Sequence, residues 1–146
     1  MRLFFLIFLT ILFSFVQTTG FSIFGVKPNL ALMAVVAVSF FISDIWEGFL
    51  LVLMSALILK FGPEVGNKEI IIFSLIGAAA VFSKRYLIWQ QLINCLILLV
   101  VATLLFYVFL SPSFIFSRIF LQEISYNIIS GIIIFASLRW LKKIYF

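Results

Sequence analysis

The stretch YLIWQQLINCLILLVVATLLFYVFL, residues 86–110, contains no charged residue and is dominated by bulky apolar side chains. A transmembrane helix needs about 20 consecutive, mostly apolar residues. Because lipid cannot hydrogen-bond exposed backbone groups, a chain that crosses a bilayer as a single segment must be helical. The stretch therefore predicts a membrane-spanning helix, and the rest of the chain is interpreted from it.

The composition of the whole chain also indicates a membrane protein. Of its 146 residues, 66% are hydrophobic and 10% are charged, whereas a soluble domain is typically about 45–50% apolar and about 25% charged. Such a chain has too few polar side chains to cover a water-exposed surface. This excludes a soluble globular protein, a disordered chain and a nucleic-acid-binding module.

Polar residues divide the chain into six apolar segments, and we predict one compact, all-α transmembrane bundle. The predicted spans are residues 3–16, 29–42, 45–61, 70–82, 86–110 and 121–138. The second and fourth are the shortest, so we expect them to extend into flanking residues, to thin the bilayer, or to be shielded by neighbours. A five-span alternative makes the second and third segments a shallow hairpin. The small residues 77–80 predict a close contact between helices.

Lysine and arginine residues predict the orientation. With six spans and both termini in the cytoplasm, six basic residues lie inside and four lie outside, as the positive-inside rule prefers. The N-terminal segment has the basic Arg2 and the apolar run of a signal peptide, but it lacks an Ala-x-Ala-like cleavage site. We therefore expect it to be retained as the first helix, with cleavage as the alternative.

The inventory of reactive residues argues against an enzyme. The chain has no histidine, and its single cysteine, Cys95, lies in an apolar run. These facts exclude histidine-based acid–base catalysis, Ser-His and Cys-His pairs, histidine-ligated metals and CxxC redox motifs. The five acidic residues lie mostly at segment ends. We expect no catalytic site, no cofactor and no metal.

The sixth span carries the most informative polar pattern. Glu123, Asn127, Ser130 and Ser137 recur at the spacing of one helix face. A polar stripe on a membrane helix faces the bundle interior, a cavity or a partner protein. One interpretation is a ligand or partner site. The simpler one is hydrogen bonding between helices, with Glu123 at an interfacial helix start, where the helix dipole favours an acid.

Two other polar pairs each allow a functional and a structural interpretation. Asp44 and Glu47, in SDIWEG, are either an acidic docking spot near the cytoplasmic face or the acid-rich start of a helix, and the helix start is favoured. Gln90 and Asn94 lie four residues apart, early in the fifth span. They either line a small-molecule pocket or form hydrogen bonds across helices.

Three segments together resemble the MreD family, small polytopic membrane proteins of the bacterial rod-shape system. KPNLALMAVVAVSFF, residues 27–41, resembles the family's Lys/Arg-Pro-Asn/Asp sequence followed by an apolar helix. IWEGFLLVLMSALIL, residues 45–59, is similar to the glycine-containing segment after it. FLQEISYNIISGIIIFASLRWLKK, residues 120–143, resembles the closing helix, with an acidic start, a Tyr-Asn pair and a basic tail.

The resemblance implies a non-enzymatic scaffold of the bacterial cytoplasmic membrane that supports cell shape and side-wall peptidoglycan synthesis. The implied partners are an MreC-like membrane protein and, with it, RodA, a class B transpeptidase and the MreB filament. The candidate partner-binding or packing residues are then Glu123, Tyr126, Asn127, Ser130, Asp44 and Glu47.

The fold of the MreD family also resembles the substrate-binding S components of energy-coupling-factor transporters. This provides the alternative function, in which the chain holds a vitamin or another small molecule between its helices and docks onto separate energising subunits. Gln90 and Asn94 are the candidate pocket residues for that alternative.

Overall fold

The computed structural model describes residues 2–63 and 65–145, and over these residues the fold is helical. The helices are α1 (Arg2–Thr18), α2 (Leu30–Ser39), α3 (Ile45–Lys60), α4 (Asn67–Ser83), α5 (Gln91–Leu110) and α6 (Arg118–Tyr145). A short 3₁₀ turn at Pro112–Phe114 connects α5 to α6. The prediction of an all-α fold is confirmed.

Two of the described helices, α5 and α6, are long and apolar enough to cross a membrane by length and composition. At about 1.5 Å per residue they reach roughly 30 Å and 42 Å, against a hydrocarbon core of about 30 Å. On the same scale α1, α3 and α4 reach about 24–26 Å, and α2 only about 15 Å. Length and composition alone therefore assign two spanning helices.

The short helix α2 forms the centre of the bundle. All ten of its residues are buried, and it packs against each of the other five α-helices. Its sequence LALMAVVAVS ends in Ser39, whose hydroxyl donates to the Val36 carbonyl at 2.7 Å, so even its one polar side chain has a partner. Of the three arrangements expected for this short segment, the structure shows shielding by neighbouring helices.

Side chains from other helices bind both ends of α2. At its start the Asn29 side chain accepts from the Leu32 N–H at 3.1 Å, and Gln17 of α1 accepts from the Ala31 N–H at 2.7 Å. Beyond its C-terminus the Lys84 ammonium donates to the carbonyls of Ser39 and Ile42. The terminal backbone groups of a helix have no partners within it, and here the surrounding helices supply them.

Successive helices run in opposite directions, so the bundle has two ends. The Asn29 end contains the C-terminal ends of α1, α3 and α5 and the N-terminal ends of α2, α4 and α6. The ends of α1 and α3 are close there, because a Cβ on Gly62 would lie 3.1 Å from Thr18. The Lys84 end contains the opposite termini, with Lys84 bound to the segment that follows α2. Polar groups at helix termini are thereby divided into two separate sets.

Glycine permits a close approach between helices at Gly48, Gly77 and Gly131. A Cβ on Gly77 of α4 would lie 3.1 Å from Val52 of α3 and 3.6 Å from Val35 of α2. A Cβ on Gly131 of α6 would lie 2.4 Å from Leu99 of α5. Gly77 lies in the small-residue run predicted to make a close contact, and the structure shows that contact with α2 and α3.

The fifth helix begins later than predicted. Residues 86–90 precede α5, which starts at Gln91. The Asn94 side chain in the first turn of α5 donates to the carbonyls of Leu87 and Trp89, at 3.3 Å and 2.8 Å. Because these carbonyls are held by a side chain rather than by the next helical turn, the apolar residues before Gln91 form a loop. The predicted start at residue 86 is wrong for this reason.

Candidate functional site

A partly enclosed cavity of about 380 Å³ lies at the Asn29 end of the bundle. It is lined by parts of α1, the α1–α2 loop, α4, α5 and α6, and its polar lining includes Gln17, Asn29, Glu69, Tyr107, Ser111 and Glu123. Its volume falls within the usual range of small-molecule sites. In a chain with only 10% charged residues, this convergence of polar groups identifies the candidate functional site.

The most enclosed carboxylate in the cavity lining is that of Glu123, in the second turn of α6. Its side chain is only 8% exposed. The Tyr107 hydroxyl donates to Glu123 Oε2, and the tyrosine ring packs edge-on against Phe120 with ring centroids 4.9 Å apart. Among the residues that the structure describes, no group donates to Oε1. The carboxylate is thus fixed in orientation while one oxygen stays available to the cavity.

Two carboxamide side chains, those of Gln17 and Asn29, also line the cavity. The amide oxygens of Gln17 and Asn29 accept from backbone N–H groups of α2, which fixes the orientation of both amides. Their amino groups have no hydrogen-bond partner within residues 2–63 and 65–145. Because Gln17 and Asn29 both line the cavity, these amino groups are hydrogen-bond donors for its contents.

The remaining lining gives the cavity a charged rim and an apolar wall. Glu69 lies in the first turn of α4, where the helix dipole favours an acid, and Lys27 is exposed in the loop before α2. Phe106 and Leu110, from the last turns of α5, contribute apolar surface. The cavity therefore suits a compound that has both polar and apolar parts.

One turn from Glu123, Asn127 connects α6 to α5. Its side-chain amino group donates to the Thr103 hydroxyl at 3.0 Å, and that hydroxyl donates in turn to the Leu99 carbonyl at 2.8 Å. Asn127 is 1% exposed, and its Oδ1 has no partner in the described part of the chain. Glu123 and Asn127 therefore both bind α5 inside the bundle, as the simpler interpretation of the polar stripe predicts.

The other predicted α6 residues do not belong to this buried pair. Tyr126 and Ser130 are half-buried, and Ser137 is exposed, with its hydroxyl donating to the Ile133 carbonyl of its own helix at 2.8 Å. The stripe predicted from spacing does not form one continuous surface, because neighbouring helices cover only its first part.

Asp44 and Glu47 form the start of α3 at the Lys84 end. Asp44 is exposed, and its side chain accepts from the Trp46 N–H at 3.0 Å as the helix N-cap; Glu47 is half-buried in the first turn. Burial lowers the pKa of the nearby Lys84, the charge of Arg85 lowers it further, and Glu47 opposes the change. These acids therefore have the structural role of a helix start.

Gln90 and Asn94 lie at the Lys84 end, away from the cavity. Gln90 is exposed before α5, whereas Asn94 is buried and its amino group binds loop carbonyls. Neither residue lines the cavity at the Asn29 end. A pocket around these two residues stays a prediction.

Sequence reasoning identified Glu123 but missed most of the residues that surround it. Gln17, Asn29 and Tyr107 come from three other segments, and each looks like an isolated polar residue near a segment end. Alternating helix direction was the signal that could have found them. It brings the C-termini of the first and fifth spans to the same side of the bundle as the N-termini of the second, fourth and sixth.

Within the part of the chain that the structure describes, no group of three or more Cys, Asp or Glu side chains lies close enough together to hold a metal ion. The positioned groups of the cavity are a carboxylate, a phenol and two amides, which recognise a ligand by hydrogen bonding and charge.

Comparisons of the chain with protein-family models, with curated proteins and with solved structures find no match. Function is therefore inferred from the chain's own residues and geometry.

Proposed function

We propose that the chain is an integral membrane scaffold of the bacterial elongation complex. In this role it supports cell shape and side-wall peptidoglycan synthesis by binding an MreC-like membrane protein, with RodA and a class B transpeptidase in the same assembly. The resemblance of residues 27–41, 45–59 and 120–143 to MreD supports the proposal. The first of these segments contains the whole of the central helix α2.

The observation that carries the proposal is the apolar outer surface of the bundle, which surrounds an interior that is also mostly apolar. Large apolar side chains are exposed along the outer helices, among them Phe4, Phe8, Phe15, Leu53, Leu57, Ile71, Leu75, Val101, Phe109, Ile129 and Ile133. Soluble monomers rarely expose continuous apolar surface of this extent. The distribution supports a bundle that lies in the bilayer as one six-span unit.

Polar side chains inside the bundle support the same proposal. Ser14 of α1 and Ser55 of α3 share a hydrogen bond of 2.5 Å, and both are fully buried. Asn127 and Thr103 connect α6 to α5 in the same way. Hydrogen bonds of this kind hold transmembrane helices together where no hydrophobic force acts between them.

The scaffold acts through its membrane-facing surface and its loops. Within residues 2–63 and 65–145 the helices are joined by short connections, and no second folded unit occurs. Glu123 and Asn127 are used in packing α6 against α5, so Tyr126 and Ser130, which are half-buried on α6, are the better candidates for partner contact. In the proposed orientation both termini and the Lys84 end face the cytoplasm, and the Asn29 end faces outward.

The test is purification of the chain from native membranes in mild detergent, with partners identified by mass spectrometry. The proposal expects an MreC-like protein together with RodA or its transpeptidase. An unrelated membrane protein of similar abundance, purified in parallel, controls for non-specific capture. Recovery of the chain in good yield without any of these partners would contradict the scaffold role.

The cavity favours a second candidate function. A bundle with a polar cavity of about 380 Å³ at its outward end suits the small-molecule capture expected of an S component of an energy-coupling-factor transporter. The same purification separates the two candidates. Recovery of ATPase subunits and a coupling membrane protein, instead of the cell-shape partners, would assign the chain to substrate capture.

A further inference from the structure

We propose that the cavity at the Asn29 end binds a small, water-soluble organic amine in its ammonium form, one that also carries a hydroxyl or carbonyl oxygen. The ammonium lies against the Glu123 carboxylate, and the oxygen accepts from the amides of Gln17 and Asn29. This binding site goes beyond the scaffold role. The proposal is the same whichever partners the chain assembles with.

The position of Glu123 is the first step toward this site. Its carboxylate is nine-tenths buried yet lines the cavity, and only Oε2 is engaged, by the Tyr107 hydroxyl. Placing a carboxylate at a buried position is costly unless a donor or a cation compensates it. An ammonium group in the cavity would supply both the charge and the hydrogen bond that Oε1 lacks.

Among the described lining residues the two carboxylates of Glu69 and Glu123 outnumber the single ammonium of Lys27, which favours a cation over an anion. Glu69 adds a second carboxylate at the rim, and the rings of Phe21 and Phe106 line the same cavity. Aromatic rings attract cations through their negative faces. The first free N–H groups of α2, which in other helices attract anions, are already bound by Gln17 and Asn29.

The side chains of Gln17 and Asn29 indicate the second polar group of the ligand. The oxygens of Gln17 and Asn29 are held by α2, so the amino groups of both side chains remain as donors. The cavity thus has acceptors from α4 and α6 and donors from α1 and from the residue before α2. A compound with an ammonium and an acceptor oxygen matches both sets of groups.

The test uses the purified full-length chain and three probes of nearly equal size. Phenylalaninol carries the ammonium and the hydroxyl, and 3-phenylpropane-1,2-diol replaces the amine by a hydroxyl. 3-Phenyllactate has a hydroxyl in place of the amine and a carboxylate in place of the CH2OH group. At concentrations well above its Kd, phenylalaninol should raise the melting temperature by about 3 °C or more, because a ligand that binds only the folded state stabilises it. The diol and the lactate should raise it by far less.

Two variants connect the effect to the cavity. Glu123→Gln should weaken phenylalaninol binding about tenfold or more, which is the loss expected for a fully enclosed charge pair. Glu69→Gln should weaken it about threefold, because Glu69 is only partly buried. If Glu123→Gln does not fold, Glu69→Gln still tests amine binding. This variant should fold, because Glu69 makes no side-chain bond among the described residues. Ser137→Ala, exposed on α6 far from the cavity, should bind phenylalaninol as the original chain does.

The result that overturns the proposal is equal stabilisation by the amine and the diol, or unchanged amine binding in Glu69→Gln and in a folded Glu123→Gln. Reconstitution in nanodiscs tests whether the bound amine belongs to a lipid headgroup instead of a water-soluble compound. Stabilisation by phosphatidylethanolamine relative to phosphatidylcholine, with no effect of phenylalaninol, would assign the cavity to a lipid headgroup and refute a water-soluble ligand.

Discussion

At the residue scale, the polar side chains of α6 show how a mostly apolar bundle uses scarce hydrogen-bonding groups. Glu123 and Asn127 are one turn apart, and each binds a hydroxyl of α5, that of Tyr107 or that of Thr103. The donors of these bonds would be costly to bury without partners. The pair therefore fixes the register of α6 against α5, and Glu123 also forms part of the cavity wall.

We expect Asn127→Ala to lower the free energy of unfolding by about 1 kcal/mol, because it removes the hydrogen bond to Thr103 and leaves a small void. Denaturation of the purified chain with SDS would measure this. Ser137→Ala, an exposed serine on the same helix, should have no effect. In a double-mutant cycle with Thr103→Val the coupling energy should be about 0.6 kcal/mol. A coupling energy of zero would show that the bond does not contribute.

At the element scale, local sequence predicted helix starts better than it predicted what surrounds them. Pro28 and Asn29 precede α2, and Asp44 caps α3, as residue type and spacing indicate. In contrast, no local pattern shows that Lys84 binds carbonyls more than 40 residues earlier in the chain. The start of α5 was misplaced because apolar composition does not distinguish an apolar loop from a helix.

The close contact at Gly77 gives a prediction at this scale. Gly77→Leu should lower the free energy of unfolding by about 1–3 kcal/mol, because the new side chain would overlap Val52 and Val35, in α3 and α2. Ala79→Leu is the matched control on the same helix, since Ala79 is exposed. Thermal unfolding in detergent would measure both. Equal stability of the two variants would contradict the packing of α4 described above.

The ammonium of Lys84 provides a second prediction at the element scale. Lys84→Met should lower the free energy of unfolding by about 1–3 kcal/mol, because the carbonyls of Ser39 and Ile42 lose a charged donor. Arg85→Met is the control, because it removes one positive charge from the same loop while Arg85 itself is exposed. Thermal unfolding of the purified variants would measure the difference. Equal destabilisation by both would indicate that loop charge, not the bond to α2, is what matters.

At the scale of the whole molecule, sequence predicted the class of fold and only part of the candidate site. The apolar segments indicated a helical bundle because hydropathy is a local property. The cavity is assembled from separate helix termini, so Gln17, Asn29 and Tyr107 become neighbours of Glu123 only once the helices alternate in direction. The spacing of Gln90 and Asn94 did not show that Gln90 is exposed and Asn94 buried, because spacing along one helix does not indicate which residues the other helices cover.

The central claim is a six-span bundle with the Asn29 end outside the cell, and cysteine labelling tests it most directly. Cys95 is the only cysteine and is buried, so a Cys95→Ala chain provides the background. Single variants Ser22→Cys and Ser113→Cys place a thiol in exposed loops at the Asn29 end, and Ser43→Cys and Gln90→Cys do so at the Lys84 end.

A membrane-impermeant maleimide applied to intact cells should label positions 22 and 113, and should label positions 43 and 90 only after the cells are opened. That result requires α2 and α5 each to connect opposite sides of the membrane, and it requires α3 and α4 either both to cross or both not to cross. Labelling of positions 22 and 43 from the same side of the membrane would contradict the six-span bundle, because α2 would then not cross.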